Sequence, residues 1–429
     1  MIFLQSITIN LEELPKYLSY ILFSFILFTS AAKAQSPQKI RIVPKQAYGG
    51  PVSEYFDKIE YIPLETSKES LFGDINNLTI TDDSYIISDN DTKSVLFFKS
   101  DGKFIRKVKS PNGTVPRIIY NGFNDKVQVN YLSWESGVIK QKKNYTIYGE
   151  ETFDLTSSKE EHVTGGIPLE PGYSIKFNNS HINSLTNLKD TTIYLIDVYK
   201  GDSLYNKLLP VNPYKNPGFC YFAGNLNSNP ASYYVQNKSV LISIPIDKSI
   251  YKIDKDKAVK LFDVTFPLGI EYPKDWLKIT DYHVLDSLKK APLSPNIILN
   301  LENIFFDKNK LVFKGESAMY VSNMNTGDPN YIFNFIYDTR STKVVALERL
   351  NPDPSSYYLP VFNPSGYLMT SGIRYYKESY YSHISSLDLF FTRDATKNKN
   401  PKYPTVLKDY FNTQSRKSNP VIVRMKLKG

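Results

Sequence analysis

One strand-and-turn pattern occurs twice in this chain of 429 residues, at a constant spacing of 155 residues. In the first copy, Ser84–Val108, three short runs of β-branched and aromatic residues are separated by turn residues, including Asp101-Gly102. The matched segments are Ser84–Ser88 with Ser239–Ser243, Lys93–Leu96 with Lys248–Tyr251, and Asp101 with Asp256. Three matches in register predict a repeated supersecondary unit, and runs of this composition favour strands over helices.

The number of short strands predicts an all-β fold in which repeated sheets close on each other. A single sandwich holds about 100 residues, and the sequence offers no linkers that would separate several sandwiches. Parallel αβ folds need a helix between strands, whereas only one helical pattern is visible. We therefore predict a β-propeller with six blades of roughly 60 residues, with seven blades as the alternative, because propellers typically have about 4–8 blades.

The exception to the strand pattern is Pro273–Lys290, where apolar residues fall on one helical face, among them Trp276, Leu285 and Leu288. Proline suits the start of a helix and lysine suits its end. We predict a short helical insertion between two blades, with Trp276 in the core.

The N-terminal region has the pattern of a signal peptide. An apolar run in Leu18–Ala34 follows Lys16 and ends in Ala32-Lys33-Ala34, which fits a signal-peptidase site. We predict that residues 1–34 are removed and that residues 35–429 form a single propeller domain without a transmembrane segment. The predicted location is the periplasm, the cell surface or the extracellular space.

A propeller must also close its ring, because unpaired strand edges are unfavourable. We predict that the Ile59–Leu64 strand, or Ile40–Val43, joins the blade that contains Val421–Leu427.

Several segments carry a resemblance to a known family. They are Tyr61–Thr66, Val95–Phe98 with Asp101–Phe104, Lys248–Ile253 followed by the helical segment, and Asn419–Lys428. In these segments the chain resembles the six-bladed β-propeller family of secreted and surface proteins common in Gram-negative gut anaerobes. The resemblance implies the fold and an extracytoplasmic location, and it supplies no catalytic residues.

No catalytic, metal or cofactor motif is recognisable. The formal charge is +9, but the lysines are scattered, which argues against a nucleic-acid patch. The four histidines form no H-x-x-H pair and predict no metal site; they are His162, His181, His283 and His383. Acidic pairs such as Asp89 with Asp91 fit turns better than a calcium loop. Cys220 is the one cysteine, and we expect it to be buried and inert.

The candidate ligand-binding residues lie in one tyrosine-rich segment and are Arg374, Tyr375, Tyr376, Tyr380 and Tyr381. Aromatic rings stack on sugars, and Arg can hydrogen-bond hydroxyl groups. The competing interpretation is a strand whose tyrosines alternate between the inter-blade core and solvent. We predict a non-catalytic binding module for a glycan or a protein at the channel face. The alternatives are an enzyme acting on polysaccharide or cell-wall fragments, or a structural component of a cell-envelope assembly.

Overall fold

The computed structural model describes residues 36–429 except 153–165, 179–191, 221–230, 237, 245, 272, 291–296, 318–333 and 363–372. The chain divides into two compact units, Met1–Gln38 and Lys39–Gly429. The predicted signal peptide lies outside the described residues. Within the described residues, no helix has the length and apolar character needed to cross a membrane.

The chain opens with three strands and a short helix: β1 (Gln38–Arg41), β2 (Tyr48–Pro51), α1 (Val52–Tyr55) and β3 (Phe56–Pro63). Blade 1 consists of β4 (Asn77–Ile80), β5 (Ser84–Asp89), β6 (Ser94–Lys99) and β7 (Phe104–Lys109). Blade 2 consists of β8 (Thr114–Asn121), β9 (Lys126–Ser133), β10 (Ile139–Tyr145) and β11 (Glu151–Thr152). Blade 3 consists of β12 (Ile167–Glu170), β13 (Tyr173–Phe177), β14 (Ile193–Lys200) and β15 (Ser203–Val211).

Blade 4 consists of β16 (Ala231–Gln236), β17 (Ser239–Ser243), β18 (Ser249–Ile253), β19 (Ala258–Thr265) and β1. Blade 5 consists of β20 (Ile298–Asp307), β21 (Lys310–Ser317), β22 (Asn334–Asp338), β23 (Val344–Asn351) and β2. Blade 6 consists of β24 (Arg374–Tyr376), β25 (Ser379–Ile384), β26 (Val421–Leu427) and β3. These six sheets of the described residues make the fold a six-bladed β-propeller, as predicted, and not the seven-bladed alternative.

The N-terminal strands complete the last three blades. Strand β3 pairs antiparallel with β26, so the predicted closure between the Ile59–Leu64 segment and the C-terminal blade is confirmed. The other candidate segment, around Ile40, joins a sheet as well, but in blade 4, where Ile42 donates its amide to the Thr265 carbonyl at 2.9 Å. Strand β2 runs parallel to β23 of blade 5. This stretch of chain therefore covers three sheet edges that would otherwise be open.

The repeat found in the sequence corresponds to equivalent strands in blades 1 and 4. The matched segments are the second and third strands of each blade, and a spacing of 155 residues therefore spans three blades. The equivalence extends to the backbone, because Lys93 and Lys248 precede their third strands with φ of 49° and 54°. Such values are uncommon for a residue with a Cβ, so the same turn geometry has been kept twice.

Apolar side chains fill the spaces between successive blades. Separate buried clusters lie between blades 1 and 2, 3 and 4, 4 and 5, 5 and 6, and 6 and 1. All six residues of β5 are buried, because neighbouring blades cover both faces of its sheet. This two-sided burial explains why several strands have continuous apolar runs in the sequence and not alternating apolar and polar residues.

The predicted helical insertion lies between blades 4 and 5, as expected, but it is broken in two. A 3-10 turn at Lys274–Lys278 is followed by α2 (Tyr282–Lys290). The Asp281 carboxylate accepts the amides of His283 and Val284 at 2.8 and 3.3 Å, which caps α2 and ends the preceding turn. Trp276 packs against an apolar cluster but is only half-buried, so it lies at the edge of the core and not within it.

Two helices between β25 and β26 were not predicted from the sequence: α3 (Ser386–Ala395) and α4 (Thr405–Thr413). A signal for α3 is present, because Ser385 and Asp388 have the spacing of a capping box. The Ser385 side chain accepts the Asp388 amide at 3.1 Å.

Candidate functional site

A cleft of about 300 Å³ opens between blades 6 and 1. It lies at the end of the propeller that carries the turns between the first and second strands of each blade. Its walls are the facing sides of blade 6 and blade 1. The lining residues are Lys58, Glu60, Thr81, Asp82, Tyr376, Lys377, Ser379, Tyr381, Arg424 and Lys426. Four of them are basic and two are acidic, so the cleft carries an excess of positive charge.

The sheet of blade 6 places most of these side chains through its strand register. Tyr381 of β25 lies opposite Arg424 of β26, which in turn lies opposite Glu60 of β3. Residues directly opposite each other in adjacent strands project on the same side of a sheet. The three therefore form a row across the sheet, on the side that faces blade 1.

A β-bulge in β3 places Lys58 in the cleft. Arg424 pairs with Glu60 but Lys426 pairs with Asp57, so β3 has one residue more than β26 over this stretch. The extra residue allows Phe56 and Ile59 both to be buried although they are three positions apart, and Lys58 takes a φ of 49°. Bulges commonly re-aim a side chain near a functional site.

Blade 1 contributes Asp82 from the turn between β4 and β5. Its carboxylate accepts hydrogen bonds from Lys377 Nζ at 2.5 and 2.6 Å and from the Tyr376 hydroxyl at 3.0 Å. On the blade 6 sheet, Arg424 donates to Glu60. These ion pairs are about half exposed to solvent, and such pairs contribute only about 0–1 kcal/mol to stability. The fold therefore does not depend on these charges.

The protonation states of the lining groups follow from their neighbours. The hydrogen bond from Lys377 lowers the pKa of Asp82 despite some desolvation, so this carboxylate is ionised at neutral pH. Burial raises the pKa of Tyr381, which keeps its hydroxyl protonated and able to donate. The cleft thus offers both charged groups and neutral hydroxyls to a polar ligand.

The structure separates the five candidate residues of the tyrosine-rich segment. Tyr376 and Tyr381 line the cleft. Tyr375 and Tyr380 are 5% and 0% exposed in the core between blades 5 and 6, as alternation along a strand requires, and their rings pack 5.0 Å apart. Arg374 is half-buried and donates to the Asn303 side chain at 2.5 Å, outside the cleft lining.

Several lining residues were missed by sequence reasoning, above all Lys58, Asp82 and Arg424. One signal was available for Lys58: the spacing of Phe56 and Ile59, both apolar, interrupts the alternation of an edge strand and indicates a bulge. Asp82 and Arg424 carried no such signal, because only the packing of blade 1 on blade 6 brings them together.

Other groups that could carry chemistry are arranged differently. Cys220 is buried as predicted, and burial raises the pKa of its thiol to about 12. His383 lies 3.7 Å from Asp74 and lowers the pKa of that carboxyl by hydrogen bonding. Among the residues that the structure describes, no group of three or more His, Cys, Asp or Glu side chains could hold a metal ion. His162 and His181 lie outside the described ranges.

Comparison with known proteins supports the fold. Residues 31–114 match a family described as a 6-bladed β-propeller, which is a minor part of the chain. A Bacteroides fragilis protein described as exported superposes with a TM-score of 0.53 at 12% identity, over 91% of this chain and 100% of that one. No curated protein matches by sequence.

Two further solved structures are more distant. A Bacteroides caccae protein of unknown function has a TM-score of 0.32 at 11% identity, over 64% of this chain and 81% of its own. Streptogramin B lyase has a TM-score of 0.31 at 10% identity, over 87% and 99%. At these levels of similarity the two structures carry no argument about function. Propellers host unrelated functions, so an activity must be argued from the site itself.

Proposed function

We propose that the protein is an exported binding module that takes a glycan in the cleft between blades 6 and 1. The observation that carries this proposal is the combination of tyrosine, charged groups and hydroxyls in one concave site. Small-molecule sites have volumes of roughly 300–1,000 Å³, and the cleft, at about 300 Å³, suits one or two sugar rings.

Tyr376 is the stacking residue in this proposal. It is half-buried, so its ring is held by the blade while part of it faces the cleft. Its hydroxyl is fixed by Asp82, and Lys377 Nζ lies 5.5 Å from the ring centroid. Asp82 and Glu60 accept hydrogen bonds, whereas Arg424 and Lys377 donate them, which together match the hydroxyl groups of a sugar. A protein ligand would need a wider surface, because a specific interface buries about 800 Å² on each partner.

The proposal is tested by glycan-array screening followed by calorimetric titration of the best ligand. Tyr376→Ala should weaken binding at least about tenfold, equivalent to roughly 1.4 kcal/mol. Tyr214→Ala is the matched control, because Tyr214 is 63% exposed and does not line the cleft. An array without any reproducible ligand, or equal affinity of the Tyr376→Ala protein, would contradict glycan binding in this cleft.

A hydrolase is the second candidate, because two carboxylates, Glu60 and Asp82, line the same cleft. Glycosidases use a carboxylate pair in which the general acid has a raised pKa. The pKa of Asp82 is lowered instead, by Lys377, and Glu60 is engaged by Arg424. This arrangement favours binding over catalysis. Release of reducing ends from the bound glycan, lost in both Glu60→Gln and Asp82→Asn, would support the hydrolase.

Export is supported by the apolar run and Ala32-Lys33-Ala34, and it fits the description of the Bacteroides fragilis protein with the same fold. Mass spectrometry of the protein from its native cell should find a mature N-terminus at Gln35. An intact N-terminus would contradict the signal peptide.

A further inference from the structure

The charges of the cleft do not cancel. Of its four basic residues, Lys377 is paired with Asp82 and Arg424 is paired with Glu60. The other two, Lys58 and Lys426, have no carboxylate within ion-pair distance among the described residues. Two positive charges are thus left over in a concave site, and an excess of one charge in a cleft concentrates the electrostatic potential.

The position of these two lysines adds to the argument. They project from β3 and β26, which are adjacent strands, and both line the same cleft. Lys426 lies opposite Asp57 in the register, but the Asp57 carboxylate is paired with Lys428 at 3.6 Å. Lys58 also has the left-handed φ of the bulge, a conformation that carries local strain for a residue with a side chain. An anion bound in the cleft would offset the positive charge that the two lysines leave unpaired.

We propose that the glycan bound by this cleft is acidic, with the carboxylate or sulfate of one sugar ring held between Lys58 and Lys426. This inference rests on the proposed glycan-binding function. Tyr376 and the two ion pairs bind the sugar ring and its hydroxyls, whereas the two lysines select for the negative charge. Neither lysine takes part in an ion pair of the described structure, so both can be changed without breaking one.

The test compares an acidic ligand with its uncharged ester and with a sulfated ligand. Tetragalacturonate, its methyl ester and a heparin tetrasaccharide are titrated by calorimetry into the full chain and into the double variant Lys58→Gln/Lys426→Gln. The control is Lys140→Gln/Lys142→Gln, which removes two exposed positive charges from β10 of blade 2. Hydrogen bonds to charged groups are about twice as strong as neutral ones. Because two such contacts are removed, we expect the cleft variant to bind the acidic ligand about ten- to hundredfold more weakly.

The outcomes separate this inference from the function on which it rests. Binding of tetragalacturonate or of the heparin tetrasaccharide, weakened by the cleft variant and unchanged in the control, supports the inference, and the preferred ligand shows whether a carboxylate or a sulfate is recognised. Equal binding of the methyl ester would overturn the acidic specificity and leave glycan binding intact. Binding of none of these ligands would overturn both. Unchanged urea midpoints of the variants establish that the fold is intact.

Discussion

Removing Asn419–Gly429 should prevent the native ring from forming. This segment contains β26, which lies between β25 and β3 in blade 6 and is hydrogen-bonded to both. Five of its side chains are at most 3% exposed, namely Val421, Ile422, Val423, Met425 and Leu427. Truncating one large buried aliphatic side chain costs about 2–5 kcal/mol. Losing all five would cost about 10–25 kcal/mol, which equals or exceeds the roughly 5–15 kcal/mol that stabilise a typical domain.

The assay is near-ultraviolet circular dichroism together with urea unfolding. We expect the deletion to abolish the tertiary signal. Met425→Ala, a graded version of the same perturbation, should lower the free energy of unfolding by about 2–5 kcal/mol, since Met425 is fully buried between blades 5 and 6.

Deletion of Lys428–Gly429 alone is the control. It removes one hydrogen bond from the Lys428 amide to the Tyr55 carbonyl, 2.9 Å long, and should cost only about 1 kcal/mol. A protein lacking Asn419–Gly429 that unfolds at the same urea concentration as the full chain would refute closure by β26 and β3.

Two further predictions concern buried or partly buried ion pairs. Lys248 is 0% exposed and its Nζ lies 2.5 Å from Glu271. Glu271→Gln should therefore lower the free energy of unfolding in urea by about 3–5 kcal/mol, because it leaves the buried ammonium group of Lys248 without a counter-charge. Adding Lys248→Met should recover most of that loss; no recovery would contradict this explanation. Lys310 and two backbone amides outweigh desolvation and lower the pKa of Asp338. A carboxyl whose pKa is lowered by folding stabilises the fold at any pH above its unfolded-state pKa of about 3.9. Asp338→Asn should therefore lower the free energy of unfolding at pH 7. The loss relative to the full chain should shrink as the pH falls below about 4, and a loss independent of pH would contradict the role of the ionised Asp338.

The number of blades and the closure of the last blade by β3 could be predicted from the sequence. Strand β5 and its equivalent β17 could be predicted because apolar content, turn residues and a constant spacing are local properties of the chain. The closing strand β3 could be predicted because the open edge of the last sheet in a ring must pair with another strand. The helical segment Pro273–Lys290 was predicted, but its break near Asp281 was not. Helices α3 and α4 were missed, although Ser385 caps α3, because a cap is a weak signal beside a strong strand pattern.

The cleft could not be predicted, because it is formed by residues that are distant in sequence. Glu60 and Arg424 are 364 residues apart in sequence and adjacent in space, because ring closure joins the two ends of the propeller. Asp82 reaches them through the packing of blade 1 on blade 6. The same packing sorts the tyrosine-rich segment, burying Tyr375 and Tyr380 while Tyr376 and Tyr381 line the cleft. Which side of a sheet faces a neighbour depends on register and on the bulge at Lys58, and these are properties of paired strands, not of one segment.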